Sequence, residues 1–392
     1  MDPARGAKLS TWLNDQRVRG RIYQTLLLAC VAALACGAIY NAVTNMQARG
    51  MPTGFGFWNE VAGFDINLHL ISYTNLSTYG RAFWVGLLNT LLIAVICIPL
   101  ATLLGFAIGV TRLSPNWLLS RLALVYTSIL RNIPLLLLLL FWYNAVLKSL
   151  PGPRQAISIG DVVFLDNRGL YLPMPVPREQ SVWFISAIAA ALILAAGFRE
   201  WARRRQERTG EQAPSALVAV GLILGLPAIA SVAGGAPFGF DIAKLSGFNL
   251  KGGLQVIPEM AALVFGLVTF TAAFIAEIVR AGLLAVPVGQ SEAAAALGLH
   301  RGLTMKLVVV PQAMRLITPP LTSQYLNIVK NSSLAVFIGY PDLVQIFAGT
   351  VLNQTQAAVQ VMAITMAVYL FISLAVAVAL NLFNARYALK ER

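Results

Sequence analysis

The sequence predicts an all-α, multi-pass membrane protein with about eight transmembrane helices. Three observations predict it. The 392 residues are 58% hydrophobic and only 11% charged, with a mean hydropathy of +0.72, whereas a soluble domain carries about a quarter charged residues. Apolar runs recur, each near the ~20 residues that a helix needs to cross hydrocarbon. Lys and Arg gather at the ends of these runs instead of forming one basic domain, so the net charge of +13 reads as membrane topology and not as a nucleic-acid surface.

The apolar windows fall at roughly 22–44, 83–109, 121–147, 181–198, 215–234, 258–283, 316–338 and 359–384. The seventh is the most polar, with Pro319, Pro320, Thr322, Ser323, Gln324, Asn327, Lys330 and Asn331. A helix of that composition must face protein or water instead of lipid. If the N-terminus is cytoplasmic, 19 Lys and Arg fall on inside segments and 8 on outside segments, while Arg131 and Lys330 lie within spans. That excess predicts cytoplasmic N- and C-termini. The run Arg205 to Pro214 becomes an inside turn. Stretches 45–81 and 149–180, rich in Gly, Pro and Asn, become outside loops with short elements. The first run is long and no small-residue cleavage site follows it, so it reads as a span and not as a signal peptide. Cys30, Cys36 and Cys97 lie inside apolar runs with no CxxC spacing and read as packing residues.

Catalytic signatures are absent from the sequence. It holds no P-loop, HExxH, GxSxG or Cys/His cluster, and His69 and His300 are isolated. No catalytic residue, metal or cofactor is expected. A pore, a carrier or the membrane part of a complex remains.

One segment, EAAAALGLHRGLTMKLVVVPQ from Glu292 to Gln312, is too polar to span and too helix-prone for a plain loop. Ser291 suits an N-cap, and Glu292 would place a carboxylate in the first turn. The alanines offer little bulk, Gly298 can end the helix in a left-handed conformation, and Pro311 is expected to break a second helical piece. This helix–bend–helix elbow faces the cytoplasm in the predicted topology. It serves either to dock a protein or to lie on lipid, although a lipid-surface helix would want Trp or Phe on its apolar face, and there is none.

The order Glu292-Ala293-Ala294, three residues, Gly298, nine residues, Val308-Val309-Val310-Pro311 resembles the EAA signature of ABC-importer permeases, with Val308-x-Val310-Pro311 where the family usually has Ile-x-Leu-Pro. The blocks AEIVRAG from Ala276, VPVGQSEAA from Val286, RNIPLLLLLLFWY from Arg131 and VKNSSLA from Val329 resemble the polar-amino-acid permeases. Together with WLNDQRVRGRIYQ from Trp12, they are similar to the larger, Q-type permease subunit of general L-amino-acid importers of Gram-negative bacteria. The resemblance implies a five-helix, MetI-like permease core in two parts, 80–148 and 254–392. Residues 1–79 would add an N-terminal span and an outside loop, and 149–253 an insertion with two further spans.

The resemblance also implies a role for the elbow as the coupling helix, with Gln290, Ser291, Glu292, Ala293, Ala294, Gly298 and Pro311 docking on a separate ATP-binding cassette subunit. The further implied partners are a second permease subunit, expected to be a paralogue, a periplasmic amino-acid-binding protein, L-amino acids and inner-membrane lipid. The competing classes are an ion-coupled secondary carrier and a channel or scaffold subunit. A carrier would show inverted repeats and coupling carboxylates, but only Glu277 lies well inside a span and no repeat is visible.

For the path itself, a zwitterion needs an anion for its ammonium and donors for its carboxylate. Glu277 is the only buried acid available for the first role, and Arg131 is the second ionisable path candidate. Alternatively Glu277 pairs with Arg131 or Arg280 and simply holds helices together. Gln324, Asn327 and Asn331, bordered by Lys330, fall at i, i+3 and i+7 on one helical face. They line the path or bond helix to helix.

Overall fold

The computed structural model describes residues 16–48, 50, 52 and 54–387. Arg5, Lys8, Arg49, Lys390 and Arg392, which enter the charge count, and residues 12–15 of the N-terminal motif lie outside them. The eight predicted runs fall on helices. They are α1 Gln16–Ala48, α2 Tyr79–Thr111, α3 Trp117–Asn132 continuing into α4 Leu135–Leu140, α5 Ser181–Thr209, α6 Ser215–Gly234, α7 Pro258–Leu284, α10 Val310–Asn331 and α12 Ala358–Tyr387. Among the described residues, six helices are long and apolar enough to cross a membrane, or seven with the bent pair α3–α4. The remaining one of the eight predicted runs is α10, whose polarity and internal Pro319 and Pro320 set it apart.

The third run is not one straight helix. Its halves are bent by 106°. Asn132-Ile133-Pro134 is the cause, because the residue before a proline is pushed out of the helical region, and Ile133 is extended at φ −91°, ψ 131°. A π turn, Phe141–Leu147, follows α4.

Short strands lie before α5, in the stretch expected to be a loop with short elements, and after α6. Eight short strands flank the α5–α6 hairpin: β1 Ile157–Ile159, β2 Val163–Asp166, β3 Gly169–Leu172, β4 Met174–Pro177, β5 Phe238–Asp241, β6 Lys244–Ser246, β7 Asn249–Lys251 and β8 Leu254–Val256. They form an antiparallel sheet in the order β1-β2-β3-β8 and two ribbons, β4-β5 and β6-β7. Leu172 pairs with Leu254, so the sheet joins the two ends of the segment that contains α5 and α6.

The chain divides into two compact units, 1–98 with 281–392, and 99–280. In the first, Phe57, Tyr79, Phe83, Leu343, Phe347 and Val351 form a buried aromatic–aliphatic cluster. In the second, α2 packs on α7 through glycines. A Cβ at Gly105 would come 2.6 Å from Ile275, and one at Gly109 would come 2.7 Å from the Ala276 carbonyl oxygen. Gly at this four-residue spacing lets two membrane helices approach closely. Helices α1, α5 and α6 are apolar outward, with 0%, 11% and 6% of the spanning window buried, against 61% for α7. Cys30 and Cys36 are accordingly exposed, and only Cys97 packs within this chain.

Candidate functional site

The elbow lies in the first unit. Its first helix, α8, runs Val288–Ala296 and starts four residues earlier than the sequence suggests, with Pro287 at the N-cap. Ser291 and Glu292 therefore sit inside the helix, so neither caps it nor occupies its first turn. Pro287, with its fixed φ and no N–H, is the signal that marks the start. Ala294 is buried at 3%, while Gln290, Glu292, Ala293 and Gly298 are exposed and Ser291 is partly so.

Gly298 ends α8 at φ +80°. Its N–H donates to the Ala295 carbonyl at 2.9 Å, and Leu299 N–H donates to the Ala294 carbonyl at 3.0 Å. These two bonds make a Schellman cap, which needs a left-handed residue. A Cβ on Gly298 would meet nothing within 4 Å, so the glycine answers a backbone demand and leaves open space above it. Next to it, Leu297 is 83% exposed.

After α9, Arg301–Thr304, a π turn at Met305–Val309 leads directly into α10. Pro311 falls in the first turn of α10 and the helix continues to Asn331, so Pro311 does not break it. The wider π turn before it accommodates the missing donor. Gln312 Nε2 donates to Gln290 Oε1 at 3.1 Å, which ties the base of the elbow to α10. Gln312 was not singled out in the sequence.

Along α10 the apolar face, Ala313, Ile317, Leu321, Ile328 and Val329, is buried. The other face carries Gln324 and Asn331, both partly exposed, with Asn327 and Lys330 exposed. Among the described residues none of these four side chains has a hydrogen-bond partner.

A buried acid in the same unit escapes the sequence reading, which counted Glu277 as the only one available. Asp342 is 0% exposed. Its Oδ1 accepts from Gln345 N–H at 2.7 Å, and its Oδ2 accepts from the Tyr369 hydroxyl at 3.3 Å. Beside it, Asn89 Nδ2 donates to the Leu68 and Pro341 carbonyls, both at 2.8 Å, and Thr90 Oγ1 accepts from Leu343 N–H at 3.1 Å. This network fastens the segment after α10 to α2 and α12. The position falls just outside an apolar window, which is why the spans did not flag it.

In the second unit, Glu277 on α7 gathers three arginines. Its Oε1 accepts from Arg280 Nη2 at 2.5 Å and Nε at 3.0 Å. Its Oε2 accepts from Arg112 and lies 3.5 Å from Arg131 Nη1. The side chains of Glu277 and Arg112 are 23% and 12% exposed, and Arg131 is 41% exposed, with its guanidinium over the Phe274 ring at 5.5 Å. Arg131 and Arg280 are thus found where the pairing alternative put them. Arg112, read only as a topology charge, is the more buried partner. One carboxylate against three guanidinium groups leaves a local surplus of positive charge, and among the described residues Arg131 has no carboxylate partner besides Glu277.

With this geometry in view, residues 98–389 match the family described as the binding-protein-dependent transport system inner membrane component. The chain belongs to that family. It is 51% identical over 375 residues to the putative amino-acid ABC transporter permease protein YhdX of Escherichia coli K12, covering 96% of this chain and 95% of that one. It is 45% identical to the general L-amino acid transport system permease protein AapQ of Rhizobium johnstonii, over 97% and 95% of the two chains. Its identity to the glutamate/glutamine/aspartate/asparagine transport system permease protein BztB of Rhodobacter capsulatus is 39%, over 100% and 98%. The chain is therefore a multi-pass inner-membrane permease, and membership does not favour the carrier or the passive channel.

Proposed function

We propose that this permease forms the translocation path of an ATP-driven importer for L-amino acids. ATP hydrolysis lies on a separate ATP-binding cassette subunit, and a periplasmic amino-acid-binding protein delivers the substrate. A second permease subunit, a paralogue of this chain, completes the path. Both termini are cytoplasmic, a topology supported by the distribution of Lys and Arg.

The observation that carries the reading is the elbow. A short helix of small side chains ends in a left-handed glycine with open space above it and an 83%-exposed leucine beside it. Such a surface suits insertion into a partner's groove, with Leu297 as the apolar anchor. Gln290, Ser291, Glu292, Ala293 and Gly298 meet the partner, Ala294 packs inward against this chain, and the π turn that leads into α10, with Pro311 in its first turn, carries the displacement onward. The polar face of α10, with Gln324, Asn327, Lys330 and Asn331, lines the path. Arg131 attracts the substrate carboxylate, while Glu277 orients the arginines around it.

Gly298→Asp is the test. An L-residue in the left-handed region costs about 1–2 kcal/mol, less for Asp or Asn, whose short side chains hydrogen-bond locally. The variant is expected to insert and accumulate, but to lose copurification with the ATPase subunit and at least tenfold in uptake. Gly298→Asn, which keeps the bulk without the charge, should behave similarly. Normal uptake by both removes the coupling role. For orientation, single cysteines placed at 203–208 should react only with membrane-permeant reagents in intact cells, and reaction with an impermeant one reverses the assignment.

A further inference from the structure

The inserted hairpin contains a cleft that the transport function does not use. We infer that it binds the phosphate of an anionic phospholipid at its mouth and an acyl chain along its inner wall. The cleft, of about 720 Å³, opens between the C-terminal half of α5 and the N-terminal half of α6. Spacing creates it. Ala195, Arg199, Ala202 and Gln206 fall at i, i+4, i+7 and i+11 on α5, facing Ser215, Ala219 and Ile223 at i, i+4 and i+8 on α6. The alanines leave the volume, Ile223 makes the deep end apolar, and Arg199, Arg203, Gln206 and Ser215 make the mouth polar.

Charge selects the occupant. Glu200, which also lines the cleft, is taken by Arg203 at 3.2 Å and Arg204 at 2.9 Å, Glu207 lies 3.7 Å from Arg203, and Glu211 is taken by Arg205 at 2.8 Å. Among the described residues Arg199 has no carboxylate partner. The mouth therefore presents one uncommitted guanidinium, whose fork of donors suits a phosphate.

Depth selects a lipid over a soluble anion. From Ser181 to Arg199, α5 is apolar over 18 residues, or about 27 Å, close to the ~30 Å of hydrocarbon. The 20 residues of α6 measure a similar ~30 Å back from Ser215. Two separate rulers thus put the mouth at one headgroup layer. Phe198 and Trp201 lie beside it with ring centroids 5.3 Å apart, the aromatic pair expected at that level. The inference stands apart from the coupling elbow, because it needs only the hairpin.

Native mass spectrometry of the full chain in neutral detergent, with added phosphatidylglycerol or phosphatidylcholine, tests it. Phosphatidylglycerol should be retained at least tenfold better, and millimolar inorganic phosphate should not displace it. Arg199→Gln should abolish the preference. Ala219→Trp, which fills the cleft and leaves every charge in place, should lose the lipid as well, so a folding defect in one variant does not blunt the test. Equal retention of both lipids, unchanged retention in both variants, or displacement by phosphate overturns the proposal.

Discussion

Two glutamates of the second unit, Glu277 and Glu200, each hold several arginines, and they do so in opposite ways. Glu277 binds Arg280 from its own helix but also Arg112, just beyond α2, and Arg131 from α3, with its own side chain 23% exposed. Among the described residues Glu200 binds only Arg203 and Arg204, three and four residues along its own helix, whose side chains are 67% and 68% exposed. The first arrangement joins segments distant in sequence in a partly desolvated place. The second is local and solvated, where an ion pair contributes 0–1 kcal/mol and many contribute nothing measurable. The same residue types thus make a tertiary joint in one place and a topology marker in the other.

The largest expected effect separates the two. Glu277→Gln leaves three guanidinium groups without their carboxylate. It should cost about 2–3 kcal/mol, the low end or below of the range for a broken buried pair, because solvent still reaches the site. Accumulation and thermal midpoint of the assembled protein should both fall. A variant that accumulates and melts normally yet fails to transport would move Glu277 from joint to substrate contact. Next in size is the double change Gln324→Leu with Asn327→Leu. It should reduce uptake on the order of tenfold, the scale of one or two lost hydrogen bonds, with assembly unchanged. If assembly fails and the assembled remainder transports normally, the amides bond to another subunit instead.

Asp166 offers a third kind of carboxylate, buried without any arginine gripping it. It is 1% exposed. Its Oδ1 accepts from Arg168 N–H at 2.7 Å, and its Oδ2 has no hydrogen-bond partner. Burial, the largest influence, pushes its carboxyl above the ordinary range despite backbone hydrogen bonds and the Arg168 charge that act the other way. A raised folded-state pKa means the fold prefers the protonated form. That stabilisation is complete below the ordinary carboxylate range and is lost as pH rises through the folded value. Asp166→Asn keeps the acceptor and removes the charge, so it should stabilise the sheet by up to ~1 kcal/mol at pH 7, and the gain should vanish near pH 3. Thermal melts at the two pH values check it, and a gain that persists in acid contradicts it. The smallest effect belongs to Glu200→Gln, which should leave melting and uptake unchanged. A drop comparable to that of Glu277→Gln would erase the distinction between the two clusters.

The spans were legible because their cause is compositional, and ~20 apolar residues have few alternatives. The glycine at 298 was legible for a similar reason, since a helix end needs a left-handed residue. The 106° bend in the third run was written in Ile133-Pro134, but hydropathy averaging hid it. Strands of three or four residues between glycines and prolines carry too little period to see, and β3 meets β8 only through distant pairing. Arg112 and Asp342 were missed because each sits just past the end of an apolar window. A charge at that place looks like a boundary marker until the fold shows what it touches.

The pairing of Leu172 with Leu254 also sets an order of events during synthesis. When β3 leaves the ribosome, its partner strand lies about 80 residues away in sequence, beyond both α5 and α6. At ~5–20 residues per second, β3 waits on the order of 5–15 s with one edge unpaired. In that interval α5 and α6 must pass into the bilayer as a hairpin. The sheet can therefore close only after both α5 and α6 have been synthesised, immediately before α7 begins.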